Sequence, residues 1–569
     1  MFLKILKFHL LFVGIFFSVS SALHNEEDQH APIVNTKHGR IRGHVHHVGQ
    51  WNQVHLYKGI RYAKAERFGR PVRIEHFEEE IYDATHDRDS CVQFLTSSII
   101  MRKNQTNNVE DCLYLNVFKP IVKSNEIDDN KALPIMVFYY GSGFQSGTIF
   151  DPVYDATFLA DLGKVIVVTV NYRLGPLGFL YAGTDNASGN QGLYDQITSL
   201  EWIRDNINSF GGNPNQVTIF GQSAGSTSVS ALILSPVAKG LFQRAIMQSG
   251  VIVPTAVKYM NKEEALAKTI KLSRELDCTD NDMTQIIDCL LGKTIEEIKN
   301  VYDNGTVKDL ISNKLFGPIF DDEILPEDSV KFEHGFFNNK VDILFGLVSD
   351  EGSMFIPHYL PELMDYRTQM TMEKIKQNFR KVLSEFNVNN VDKIIDFYAQ
   401  RIDPANFYQV RKMFADFFAD LRFNCPVVLF AKEIAKVNPE NRFYAYRFDR
   451  LSIVSDKMHC YDWMGVCHGS DILYTFSHPF MNYYPPDARL SHDMIKSWTK
   501  FARTGQPGPI GPFEWPKAFD SNNNSSIQWM LLDVGYRTVI DIYENSCEHL
   551  WRKQYVDWFA KKSSIKDEL

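Results

Sequence analysis

Apolar residues follow two periods along this chain. Short unbroken runs, Ile135 to Tyr140 and Val165 to Val170, read as strands buried on both faces. Val217 to Phe220, Ala245 to Gln248, Val341 to Val348 and Phe443 to Phe448 add further strands, the last being the final clear one. Leu113 to Phe118 alternates as a half-buried strand does. Nearer the start, Ile41 to Val45 reads as a short strand and Tyr57-Lys58-Gly59-Ile60 as a turn. Elsewhere the period lengthens. Leu193, Ile197, Leu200, Ile203 and Ile207 recur at helical steps, so 190–210 is expected to be a helix stopped by Gly211-Gly212. Residues 255–310 and 362–437 are also expected to be helical, and Ser521 to Ser526 a surface loop. Strands alternating with amphipathic helices predict a mainly parallel α/β sheet with helices on both faces.

One stretch organises this pattern. Val217 to Phe220 runs straight into Gly221-Gln222-Ser223-Ala224-Gly225, and the small-residue run Ser226 to Leu234 reads as a helix. A Gly-x-Ser-x-Gly between a strand and a helix is the setting of a nucleophile elbow, where the serine is lifted above the sheet on a strained turn. Sites in parallel sheets form at the carboxyl ends of strands. Gly141-Ser142-Gly143, Ser223, Glu351 and His468 all follow predicted strands. A serine hydroxyl is a weak nucleophile, so hydrolysis needs an imidazole to take its proton and a carboxylate to orient that imidazole. It also needs backbone N–H groups facing the oxyanion. From the residues alone the partners stay open: His459 and His478 rival His468, and Asp350 neighbours Glu351.

Composition narrows the class. A formal charge of −9 and a pI near 6.0 leave no basic footprint for nucleic acid. Lys4 and Lys7, the apolar stretch Leu10 to Phe17 and Ser20-Ser21-Ala22 predict a secretory signal peptide over 1–22. Lys566-Asp567-Glu568-Leu569 is a receptor-read retention address, so a lumenal protein of the endoplasmic reticulum is expected, with a KDEL-type receptor as partner and no membrane span in the mature chain. Eight cysteines suit an oxidising compartment, and none forms the Cys-x-x-Cys pair of a zinc site. No metal or cofactor is expected. Sequons at Asn104, Asn186, Asn304, Asn523 and Asn524 fit the same compartment.

The chain resembles the type-B carboxylesterase/cholinesterase family. Glu110 to Val117 is similar to one family signature, and Asn171 to Leu180, Gly189 to Gln196, Phe210 to Pro214 and Phe220 to Gly225 resemble the active-site region. Asp350-Glu351-Gly352-Ser353 resembles the acid motif, and Cys467-His468-Gly469-Ser470-Asp471 the histidine motif. The resemblance spans about 30–550 and implies one α/β-hydrolase domain over 23–562, followed by a tail at 563–569. It implies a triad of Ser223, Glu351 and His468, with oxyanion donors on the backbone of Ser142, Gly143 and Ala224. It further implies the bridges Cys91–Cys112, Cys278–Cys289 and Cys425–Cys547. For Cys460 and Cys467, a local bond and two thiols stand as alternatives.

Three departures bear on activity. Tyr140-Gly141-Ser142-Gly143 carries a serine where the family has glycine, and its Cβ disfavours a turn of positive φ. Gln222 stands where many members carry Glu; juvenile-hormone-esterase-like members also use Gln there. No tryptophan lies between Cys91 and Cys112 to receive a quaternary ammonium, so a choline-ester preference is not expected. The expected activity is hydrolysis of small-molecule or lipid carboxylic esters through an acyl-enzyme, with a specialised lipid or juvenile-hormone-type esterase as the near alternative. A non-catalytic, neuroligin-like binding protein is the other alternative; such relatives usually lose a triad member, and this chain keeps all three.

Overall fold

The computed structural model describes residues 31–50, 52–94, 108–122, 132–252, 261–306, 315–326, 340–384, 388, 390–400, 402–452, 460–478, 484–519 and 526–554. The expected signal peptide, the tail with its retention address, the sequons at Asn104, Asn523 and Asn524, and His459 lie outside them. Asn186 and Asn304 are exposed.

Eleven strands make one sheet. In chain order they are β1 (His44–Val48), β2 (Asn52–Arg61), β3 (Tyr114–Pro120), β4 (Leu133–Tyr139), β5 (Ile166–Val170), β6 (Gly212–Gln222), β7 (Arg244–Gln248), β8 (Asp342–Val348), β9 (Phe443–Phe448), β10 (Gln528–Leu532) and β11 (Arg537–Ile540). Across the sheet they run β11-β10-β9-β8-β7-β6-β4-β5-β3-β2-β1. From β5 to β10 every neighbouring pair is parallel. Both margins, β10–β11 and β5–β3–β2–β1, are antiparallel. β4 and β5 are buried along their whole length, as parallel strands covered on both faces must be.

The sheet corrects the sequence reading in three places. Tyr57 to Ile60 is not a turn but lies in the second half of β2. Gly59 takes φ +64° there, and its N–H donates to Asn116 Oδ1 at 2.8 Å, so the irregularity is absorbed inside the strand. β3 is buried on nearly every residue rather than on alternate ones. Phe443 to Phe448 is not the last strand. β10 and β11 follow, and β11 is an exposed edge without an apolar run to announce it.

The helix expected at 190–210 is α1 (Gln191–Asn206) with a 3-10 turn that ends at Gly211, φ 83°. Behind the elbow, α2 (Ala224–Leu234) is buried on every side, which its small residues allow. Farther on, α3 (Phe407–Ala419) and α4 (Cys425–Val437) are joined by a π-helical turn, Asp420–Asn424. One apolar core runs from Val34 to Trp551. Disulfides join Cys91–Cys112, Cys278–Cys289, Cys425–Cys547 and Cys460–Cys467, so the pair left open by sequence is bonded. Among the described residues no helix is long and apolar enough to cross a membrane.

Candidate active site

β6 ends at Gln222 and α2 begins at Ala224, so Ser223 alone forms the turn, with φ 57° and ψ −124°. A non-glycine residue in that conformation stores on the order of 1–3 kcal/mol and persists only where its surroundings impose it. Here they do. Ser223 N donates to Gln248 O at the end of β7 (2.8 Å), and Ser223 O accepts from Thr227 N (2.8 Å). A Cβ on Gly225 would stand 1.9 Å from Tyr139 O at the end of β4, so only glycine permits α2 to start this close to the sheet.

The loop after β4 approaches the same point. A Cβ on Gly141 would lie 3.0 Å from Ser223 Cβ. Ser142, Gly143 and Phe144 then take φ 74°, 64° and 63° in succession. Ser142 therefore adopts the left-handed backbone its Cβ disfavours, and its hydroxyl lies 2.6 Å from that of Ser146. Gln145 braces the loop. Its N–H donates to Ser142 O (3.1 Å), and its side-chain amide donates to Gly143 O (3.0 Å) and Phe316 O (2.8 Å). Tyr302 in turn donates to Gln145 Oε1 at 2.8 Å.

The acid and the base come from the other side. Glu351 follows β8, is fully buried, and places Oε2 2.5 Å from His468 Nδ1; its Oε1 accepts the Val348 N–H at 2.8 Å. Asp350 instead faces the backbone of the histidine loop, accepting the Val466 N–H (3.0 Å) while its own N–H donates to Val466 O (3.1 Å). Geometry thus separates two acids that sequence left equivalent. Of the rival histidines, His478 lies beyond the short helix Ile472–Thr475, and the imidazole that meets Glu351 is that of His468.

The histidine loop is held by packing and a cross-link. Cys460–Cys467 closes it immediately before His468. The Phe423 ring, on the π-turn between α3 and α4, covers the imidazole at 4.3 Å. Asp471 anchors the far side, where its fully buried Oδ2 accepts from Gln248 Nε2 (2.8 Å) and Tyr446 OH (2.7 Å). Burial pushes the Asp471 carboxyl above the usual carboxylate range; those two donors oppose the shift and the neighbouring Glu351 adds to it. His468 Nε2 lies 3.1 Å from Gln222 Nε2. Among the described hydrogen bonds none joins Ser223 Oγ to His468.

Sequence reading missed Phe423, Gln145, Gln248 and Tyr446. For Gln248 there was a signal, since a polar residue ends the apolar strand β7 at its carboxyl edge. Among the described residues one cluster has metal-ligand spacing, Asp420 with Cys425 and Cys547, but the two sulfurs are bonded to each other and cannot serve as thiolates.

A central parallel sheet whose strand β6 ends in a strained serine turn, with a buried acid–histidine pair carried by later loops, defines the α/β-hydrolase class. The carboxylesterase family model matches residues 30–550. The chain is similar to a cholinesterase of Mus musculus, 34% identical over 500 residues that cover 85% of this chain and 80% of that protein. It is also similar to acetylcholinesterases of Bungarus fasciatus (33% identical, covering 88% and 82%) and Danio rerio (32%, covering 84% and 80%). The chain belongs to the carboxylesterase family, the type-B carboxylesterases, which are hydrolases of carboxylic esters.

Proposed function

We propose that this chain is a serine esterase that cleaves uncharged carboxylic esters through an acyl-enzyme, with Ser223, His468 and Glu351 as its triad. The observation that carries the reading is the 2.5 Å contact of Glu351 Oε2 with His468 Nδ1 at the sheet edge where Ser223 turns out. A buried carboxylate keeps the imidazole proton on Nδ1, so Nε2 is the nitrogen that takes the serine proton. As Oγ bonds to the ester carbon, the carbonyl electron pair moves onto oxygen. The N–H groups of Ser142, Gly143 and Ala224 receive that oxyanion, each worth about 3 kcal/mol. Collapse expels the alcohol, which leaves with the proton from Nε2. Water then repeats the sequence on the acyl-enzyme and releases the acid.

Gln222 in place of an acid, and no tryptophan between Cys91 and Cys112, favour neutral over cationic esters, in the manner of a carboxylesterase. Extended lipid or hormone-like esters fall within the same reading. Ser223→Ala is expected to abolish hydrolysis of p-nitrophenyl acetate, a loss on the order of 10⁶-fold, and residual turnover near the wild-type rate would contradict the assignment. We place the enzyme in the lumen of the endoplasmic reticulum. That location is supported by the signal-like segment 1–22, the retention address Lys566 to Leu569, and eight cysteines all paired in disulfides. Deleting Lys566 to Leu569 is expected to release the protein into the culture medium; an unchanged distribution would show the address to be inert.

A further inference from the structure

Gln222 precedes the nucleophile, and its side chain is buried. The carboxamide spans the two halves of the site. Its nitrogen lies 3.1 Å from His468 Nε2, and its oxygen lies 3.1 Å from where a Cβ on Gly141 would stand, at the start of the oxyanion loop. Glu351 holds the imidazole proton on Nδ1, so Nε2 presents one lone pair and no hydrogen. That lone pair meets an amide N–H donor.

We propose that the Gln222 carboxamide caps the catalytic base: in the resting enzyme it occupies the Nε2 lone pair of His468 and must be displaced before Ser223 can hand over its proton. This deepens the esterase reading and rests on it. The energetic consequence follows from which state makes the contact. A neutral Nε2 accepts the amide N–H; once Nε2 has taken the serine proton it is itself a donor, and the amide nitrogen has nothing to offer it. An interaction made in the ground state and lost in the transition state raises the barrier to acylation. For one buried hydrogen bond between neutral partners the effect is on the order of tenfold. The cap also bears on the alcohol produced in the first step, because Nε2 gives up its proton to that alcohol and regains its cap as the product leaves.

The test is the second-order rate at which full-length protein reacts with a fluorophosphonate, a probe that bonds to the serine through the same base. Gln222→Met keeps the length of the side chain and removes the N–H. Gln222→Leu is likewise neutral and has no hydrogen to donate. Both are expected to label about five- to tenfold faster than wild type, with acylation by p-nitrophenyl acetate accelerated and KM little changed. A side chain that only supports the fold would slow labelling when replaced, so acceleration separates the two roles. Should Gln222→Met fail to fold, Gln222→Leu carries the comparison. Equal or slower labelling of the folded variants, with wild type still labelled at Ser223, overturns the cap alone. Absence of Ser223 labelling in wild type overturns the esterase reading beneath it.

Discussion

Around Ser223 the backbone does the holding, whereas around His468 side chains and a cross-link do. The serine sits between β6 and α2 in a conformation fixed by two main-chain hydrogen bonds and by a glycine approach of atomic closeness to Tyr139 O. The histidine belongs to a loop, positioned by Glu351, by the Phe423 ring, by Asp471 in its buried cradle, and by Cys460–Cys467. The nucleophile thus inherits the rigidity of the sheet. The base depends on distant groups, each of which can be perturbed separately. Variants in the two regions should differ in kind: changes to the close backbone approach behind the serine break the fold, and changes beside the histidine adjust it.

The largest effect is expected on the serine side. In Gly225→Ala the new methyl meets a main-chain oxygen of β4 that cannot yield without moving the sheet. Denaturant unfolding should show a loss of about 3 kcal/mol or more, with hydrolysis lost as well. Wild-type stability and rate in that variant would mean the close approach is not what fixes the elbow.

On the histidine side the comparison is sharpened by pH. Asp420 opens the π-turn that delivers Phe423 to His468, and it accepts hydrogen bonds from Tyr398 OH (2.7 Å) and Asn424 Nδ2 (2.8 Å). Burial pushes its carboxyl up to about 6, against those donors. A folded-state pKa above the unfolded one means that the folded protein binds the extra proton. The contribution of this carboxyl to stability therefore falls as pH rises from about 4 to about 6 and is constant beyond. Asp420→Asn removes that slope. Relative to wild type the variant should gain on the order of 3 kcal/mol across the window, read from unfolding midpoints at several pH values; parallel curves would contradict it.

The smallest effect is expected from replacing both Cys460 and Cys467 with serine. The bond closes a short loop, so stability should fall by about 2 kcal/mol. Hydrolysis should decline more than it does for an equally destabilised variant far from the site. An unchanged rate would show that Phe423 and Glu351 position the imidazole without the cross-link.

Sequence revealed the two regions unequally, for the same physical reason. β4, β5 and the Ser223 elbow are local: apolar runs, a glycine-flanked serine and a small-residue helix lie together in the chain. The margins of the sheet were harder to read, because β11 is exposed and Gly59 looks like a turn until the Asn116 side chain satisfies it within a strand. For the base, local pattern is silent. Glu351 and His468 are 117 residues apart, and Gln222 and His468 are 246 apart. The choice between Asp350 and Glu351 depends on which of two adjacent carboxylates faces a loop that folds back from beyond β9. Family motifs pointed to the pair, but only tertiary packing reveals Phe423 above the ring or the amide against Nε2.

The most direct measurement is to treat the folded, full-length protein with a fluorophosphonate and locate the adduct by peptide mass spectrometry, in wild type and in His468→Ala. The expected result is one adduct on Ser223, formed rapidly in wild type and at a strongly reduced rate without the imidazole. An adduct on another residue, or labelling of Ser223 that is indifferent to His468, would contradict the triad.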